Sequence, residues 1–162
     1  MNPMMNFRFP LAAAMLAAMS AAGCHSGRAG DRELALGEAP AAVQQTVTRE
    51  AAGAKIEDFK SIVEDGKTLY VAEFIRDGKP TEVEVYADGV ICCIETELAP
   101  AELPAAVREA AQRGTAGLTI TEVERKLSKG VVTFLVEAEG GGREVSMELA
   151  GDGRVISRNE SK

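Results

Sequence analysis

The chain of 162 residues has no tryptophan, a single histidine, three cysteines and only 4% aromatic residues. One imidazole leaves little for histidine-based acid–base catalysis or for metal ligation. Basic residues are also scarce: 18 Lys and Arg face 25 Asp and Glu, a formal net charge of -7. Binding along nucleic acid needs a Lys/Arg-rich surface that releases phosphate counterions, so no nucleic-acid partner is expected. No apolar run reaches the roughly 20 residues that span a bilayer. Phosphate loops and nucleophile elbows are missing too, since Gly140-Gly141-Gly142 falls inside a hairpin pattern and not between a strand and a helix. These absences predict a protein that is not an enzyme and carries no cofactor.

What is present begins with an export pattern. Residues 1–23 hold one basic residue, Arg8, then an apolar stretch from Leu11 to Ala22, and no acid, which reads as a secretory signal peptide. The segment Ser20-Ala21-Ala22-Gly23-Cys24 resembles the lipobox of bacterial lipoproteins, with Ala21 in place of the usual larger aliphatic residue. Cys24 would then carry a lipid and anchor the chain to a membrane; cleavage after Ala22 or Gly23 in an ordinary secreted protein is the alternative. Residues 24–37, polar and Gly-rich, read as a flexible tether that includes the only histidine, His25.

The remainder matches itself. Ala39-Pro40-Ala41-Ala42-Val43 corresponds to Leu103-Pro104-Ala105-Ala106-Val107, and at the same offset Gly53 meets Gly117, Gly66 meets Gly130, Tyr70 meets Phe134 and Glu73 meets Glu137. With a shorter second hairpin, Glu82-Val83 would meet Glu144-Val145, and Asp88-Gly89 meets Asp152-Gly153. Two units of about 60 residues are expected, at 38–97 and 98–162. Each starts with a helix, with Pro40 or Pro104 at its first position, a Val/Ala stripe, and Gly53 or Gly117 as its left-handed cap. Four strands follow: a bulged one, a hairpin pair and a closing strand after Asp-Gly. Alternation puts Tyr70, Ala72, Phe74, Val83 and Val85, and in the second unit Phe134, Val136, Ala138, Val145, Met147 and Leu149, against the helices. The fold class is α+β: two α-β-β-β-β repeats forming an antiparallel sheet with helices on one face.

The helix ending near Gly, the strand Tyr70-Val71-Ala72-Glu73-Phe74, the hairpin and the Asp88-Gly89-Val90-Ile91 turn resemble PepSY-like domains. More narrowly they resemble the tandem, exported kind described as beta-lactamase-inhibitor-like. The resemblance runs from Ala39 to Glu160. It implies sheets joined edge to edge with helices on one face. It also implies a non-catalytic extracytoplasmic module that binds, or inhibits, a secreted or envelope protein, and it carries no catalytic residues.

The face away from the helices is the candidate partner site: Leu69, Val71, Ile75 and Tyr86 as an apolar patch bordered by Glu73, Glu82 and Glu84. The Glu rows lack a calcium-loop motif and no metal site is expected. Cys92-Cys93 should present one buried and one exposed thiol, because neighbouring strand residues point to opposite faces. The expected protein is a lipid-anchored module of the periplasm or cell envelope with an unidentified envelope or secreted protein as partner. The alternative is a small-ligand or metal-binding envelope sensor.

Overall fold

The computed structural model describes residues 32–64 and 66–162. The export segment, Cys24 and His25 lie outside the described residues. The elements are β1 (Arg32–Glu33), α1 (Ala41–Ala51), β2 (Ile56–Glu64), β3 (Lys67–Arg76), β4 (Lys79–Tyr86), β5 (Ile91–Glu97), α2 (Ala105–Gly114), β6 (Thr119–Ser128), β7 (Val131–Gly140), β8 (Arg143–Ala150) and β9 (Val155–Ser161). All nine strands form one sheet in chain order, with every neighbouring pair antiparallel. The expected tether is folded at its end: Arg32 and Glu33 pair with Ser61 and Lys60, and a 3-10 turn spans Leu36–Glu38. Backbone pairing to the otherwise open edge of β2 overrides the polar, Gly-rich composition there.

The two helices lie on the same side. Val43, Val47 and Ala51 of α1 bury with Phe59, Ala72, Phe74, Val83, Val85 and Ile94. Val107, Ala110 and Ala111 of α2 bury with Val123, Phe134, Val136, Val145, Met147 and Leu149. Cross-strand register links the two sets, since Val83 faces Ile94, Ile94 faces Leu127 and Leu127 faces Val132. Each fully buried aliphatic side chain in these cores contributes roughly 1.5–3 kcal/mol relative to exposure. The helix stripes are narrow because the helices sit close on the sheet: a Cβ on Gly89 would stand 2.9 Å from the Ala42 carbonyl oxygen, and one on Gly153 would stand 2.5 Å from that of Ala106.

Several local expectations shift. Pro40 and Pro104 are N-caps, one residue before the first helical position. Glu38 and Glu102 serve the preceding 3-10 turns instead, accepting the Ala35 and Ala99 backbone N–H at 2.8 Å. The helices end at Ala52, left-handed at φ 50, and at Thr115, and Gly53 and Gly117 take positive φ just beyond. The bulges expected in the first strand of each half are present, between Ile56 and Asp58 and between Ile120 and Glu122.

The hairpins are of equal length. Arg76 pairs with Lys79 around Asp77-Gly78, and Gly140 pairs with Arg143 around Gly141-Gly142. The second is therefore not shorter. Glu73 faces Glu82 just as Glu137 faces Ser146, which makes Ser146, and not Glu144, the positional counterpart of Glu82. The error is two residues, and an even slip along a strand leaves the face unchanged. That is why the inward and outward assignments hold despite it.

The open sheet face as candidate functional site

Opposite the helices, the first half carries a second, smaller cluster. Ile62, Leu69 and Val71 are buried, with Tyr86 and Cys92 packed against them. Leu69 and Val71 are each only 2% exposed, so they are not part of an open apolar patch. Leu69 lies between Ile62 and Tyr86, its partners on β2 and β4, and Val71 between Lys60 and Glu84. Flanking side chains on a pleated surface cover both. Of the expected patch, Ile75 is exposed at 43% while Tyr86 and Glu73 are half-buried.

Beside this cluster runs a row of carboxyl groups. Asp58, Glu73, Glu82 and Glu95 occupy directly facing positions on β2, β3, β4 and β5. Like charges facing each other across a sheet are destabilising, so this row needs compensation. Part comes from lysines. Lys60 places its Nζ 3.1 Å from Glu73 and 3.7 Å from Asp58, and Lys126 places its Nζ 3.1 Å from Glu95. Glu82 sits between the two lysine-bridged positions, and among the described residues no ion pair reaches it, Glu84 or Glu124.

Protons supply the rest. Burial, then the Glu95 and Glu73 carboxylates, push the Glu82 carboxyl up to about 7. Burial, then Glu82 and Glu95, push Glu84 up to about 9. On β6, burial followed by Glu95 and Glu122 raises Glu124 to about 8, and burial with the Glu137 charge raises Glu122. Lys60 and Lys126 are raised despite burial, because the surrounding carboxylates favour their charged form. Glu84 is the extreme member: it is 1% exposed, and its Oε2 is a buried oxygen without a hydrogen-bond partner. A buried carboxyl oxygen left unmatched costs on the order of 1–3 kcal/mol. Only the outward-facing Glu positions were legible as candidates from sequence; their burial was not, because alternation assigns a face and not a depth.

Cys93 is buried as expected, but Cys92 is half-buried and not exposed, and it packs with the same open-face cluster against which Cys93 faces Glu84. The sulfurs of Cys92 and Cys93 and a Glu84 carboxyl oxygen lie within 4.8 Å of one another. A hydrogen bond with Cys92, then burial, holds the Tyr86 phenol up at about 12. Lys67 stands over the same ring, 5.7 Å from its centre.

Two hollows lie at the ends of the hairpins. One, of about 440 Å³, is lined by Lys79, Glu97, Glu102 and Glu122 among others; the second, of about 540 Å³, by Arg143, Glu144 and Ser161 among others. Both open to solvent and have walls that mix polar and apolar side chains, unlike the enclosed, largely apolar cavities that hold small molecules.

Neither a protein-family model nor a curated protein matches the chain in sequence. Solved structures share its fold. A protein provisionally described as periplasmic from Bacteroides eggerthii superposes with a TM-score of 0.66 at 19% identity, covering 75% of this chain and 88% of its own. A DUF2874 family protein from Bacteroides ovatus gives 0.65 at 18% identity, over 75% of this chain and 87% of its own. A BLIP-like protein from Bacteroides fragilis gives 0.62 at 22% identity, over 75% and 86%. At these identities the likeness is one of fold: a mostly antiparallel nine-stranded sheet with two helices, of the BLIP-like type.

Proposed function

We propose that the chain is a non-catalytic binding module of the bacterial envelope, exported by residues 1–23 and anchored through a lipid on Cys24. Residues 38–97 and 98–162 are then two PepSY-like repeats joined into one sheet, whose open face engages a secreted or envelope protein and inhibits it. The observation that carries this reading is the open face itself. The helix side is closed by two packed cores, whereas the face opposite carries half-buried carboxyl groups with no ion-pair partner among the described residues. Groups kept at such a cost away from the main cores fit a recognition surface better than a structural one. The BLIP-like fold and the periplasmic description of a structural neighbour support the same reading.

The test is site-specific photo-crosslinking in the native envelope. A photoreactive residue replacing Ile75, exposed on the open face, should give one discrete adduct whose partner is identified by mass spectrometry. The same residue replacing Arg113, exposed on α2, should give none. Adducts from both positions, or from neither, would remove the proposal.

A further inference from the structure

We infer that β9 is a self-association edge: a second copy of this chain adds its own β9 antiparallel to it, about a two-fold axis at Asn159, so that the two sheets become one. The inference stands apart from the open-face reading above, and its failure leaves that reading in place.

The fold shows what such a strand does when a neighbour is at hand. β5 and β9 close their halves at matching places, since Cys93 faces Glu84 on β4 and Ser157 faces Glu148 on β8. β5 takes β6 along its outer side, from Cys93 facing Ser128 to Glu97 facing Glu124. β9 takes nothing among the described residues, and all seven of its residues are exposed. The opposite edge differs. There β1 lies on Lys60 and Ser61 of β2, and the Leu34 N–H continues the pairing onto the Phe59 carbonyl at 3.0 Å. A strand that presents a row of unpaired N–H and C=O groups is a template for another chain unless proline, an inward lysine or a bulge blunts it. β9 has no proline, and its one irregularity lies at its start, where Val155 faces Leu149 and Ser157 faces Glu148.

The side chains choose both the occupant and the register. A two-fold axis through a sheet brings residues of one face together, so it passes through a single residue. At Arg158 it would set two guanidinium groups against each other, and at Glu160 two carboxylates, which is destabilising. At Ser157 the pairing would run into the irregular start of the strand, and at Ser161 it would include little more than the last residues. At Asn159 it sets Arg158 against Glu160 of the second copy twice over, with Ser157 against Ser161. Both charged side chains stand on the helix side, opposite Met147 and Val145. Arg158 donates through Nε to the Gly114 carbonyl and through Nη2 to Glu160, which leaves N–H groups of the guanidinium to spare. Glu160 accepts from Arg143 on one oxygen and from Arg158 on the other, and each oxygen has a further lone pair. A strand of other sequence would have to carry this same alternation of charge, whereas a second copy carries it by symmetry. Because both copies use the same edge, the pairing closes at two.

The experiment is thiol crosslinking of the purified mature protein at about 50 µM, a concentration suited to an interface of a few strand residues. Cysteine replaces one residue at a time, and covalent dimer is read on non-reducing gels against the wild-type chain. N159C should crosslink to itself. S157C and S161C should not, because each would lie four residues from its own copy, about 13 Å along the strand. The two mixed together should. Charge then tests the register. N159C/R158E and N159C/E160R should each lose crosslinking about 10-fold, since like charges would face one another beside the axis. Mixed in equal amounts they should recover it, because the acidic strand of one meets the basic strand of the other. The contact between Arg158 and Glu160 within one chain is broken in both variants and cannot produce that recovery. Thermal melts establish that the variants are folded. No crosslinking by N159C above the wild-type level overturns the inference, as does crosslinking by S157C or S161C alone as strong as by N159C. Charge variants that crosslink like N159C, or that fail to recover on mixing, overturn it too. Discrete crosslinks from Ile75 to another protein, with no N159C dimer, would leave the open face as the partner surface and reject only the edge.

Discussion

The two halves, α1 to β5 and α2 to β9, share a backbone plan and differ in what their last strands meet. β5 lies inside the sheet, paired with β4 and β6, and its Cys93 and Ile94 are buried. β9 pairs only with β8, and every one of its residues is exposed. The asymmetry continues on the open face. Glu84 on β4 is buried and Glu148, at the matching place on β8, is half-buried, because Cys93 and then Ser128 flank the first while the exposed Ser157 flanks the second. Similar sequence elements thus acquire different chemistry from position in the sheet alone. A central strand can force a carboxyl group out of water, and an edge strand cannot.

The largest difference that mutation should expose is in the cores. Phe74 is 1% exposed in the first half, and its counterpart Ala138 is 2% exposed in the second. One half is therefore built around a ring that the other replaces with a methyl group. Phe74→Ala should destabilise by about 4 kcal/mol, the usual cost of an aromatic-sized cavity. Denaturant unfolding measures it, and a loss below about 1 kcal/mol would mean that the first half can collapse to the packing of the second.

Next in size are the glycines at the Asp-Gly turns. Gly89 and Gly153 both have positive φ, 86 and 83, and both back onto a helix carbonyl, Gly153 more closely. Alanine adds left-handed backbone strain and a clash with backbone that cannot rotate away. Gly153→Ala should cost about 3 kcal/mol and Gly89→Ala about 2 kcal/mol. The reverse order would show that the turn beside the free edge relaxes more easily than the central one.

The acid row makes the two halves titrate unequally, with most of its raised groups in the first half and Glu124 on β6 in the second. Glu82 and Glu84 belong to the first half, and the position facing Glu137 in the second is Ser146. An acid whose carboxyl is held higher in the fold than in the unfolded chain binds more protons when folded. Its stabilisation is then complete below the unfolded value of 4.5 and declines as pH rises through about 7 for Glu82, about 8 for Glu124 and about 9 for Glu84. Melting temperature should therefore fall steadily from pH 5 to pH 9. Glu84→Gln should flatten that slope, gaining about 2 kcal/mol at pH 9 and almost nothing at pH 5. An identical slope in the variant would place the titration elsewhere.

These contrasts mark how far residues alone could be read. Helices, strands, bulges and faces were legible because each rests on local periodicity or on Gly and Pro, and even the two-residue slip at the second hairpin left the faces intact. Depth was not legible. Leu69, Val71 and Glu84 look alike as outward strand positions, and only the neighbours supplied by β2, β5 and β6 bury them. β1 was missed because two paired residues have no period to detect.

The smallest expected effect concerns how each helix is tied to its turn. Thr46 on α1, 4% exposed, donates its hydroxyl to the Gly89 carbonyl at 2.8 Å. The matching residue on α2 is Ala110, which has no hydroxyl to offer Gly153. The closer approach of the second turn to its helix, 2.5 Å against 2.9 Å for the added Cβ, fits a contact held by packing instead of a hydrogen bond. Thr46→Ala should cost about 1 kcal/mol, the net worth of one such bond. Hydrogen exchange at Gly89 N–H, which donates to the Tyr86 carbonyl, should quicken in the variant, while Gly153 N–H, donating to Ala150, keeps its wild-type rate. Equal quickening at both turns would show that the halves open as one unit and that the Thr46 bond holds no turn of its own.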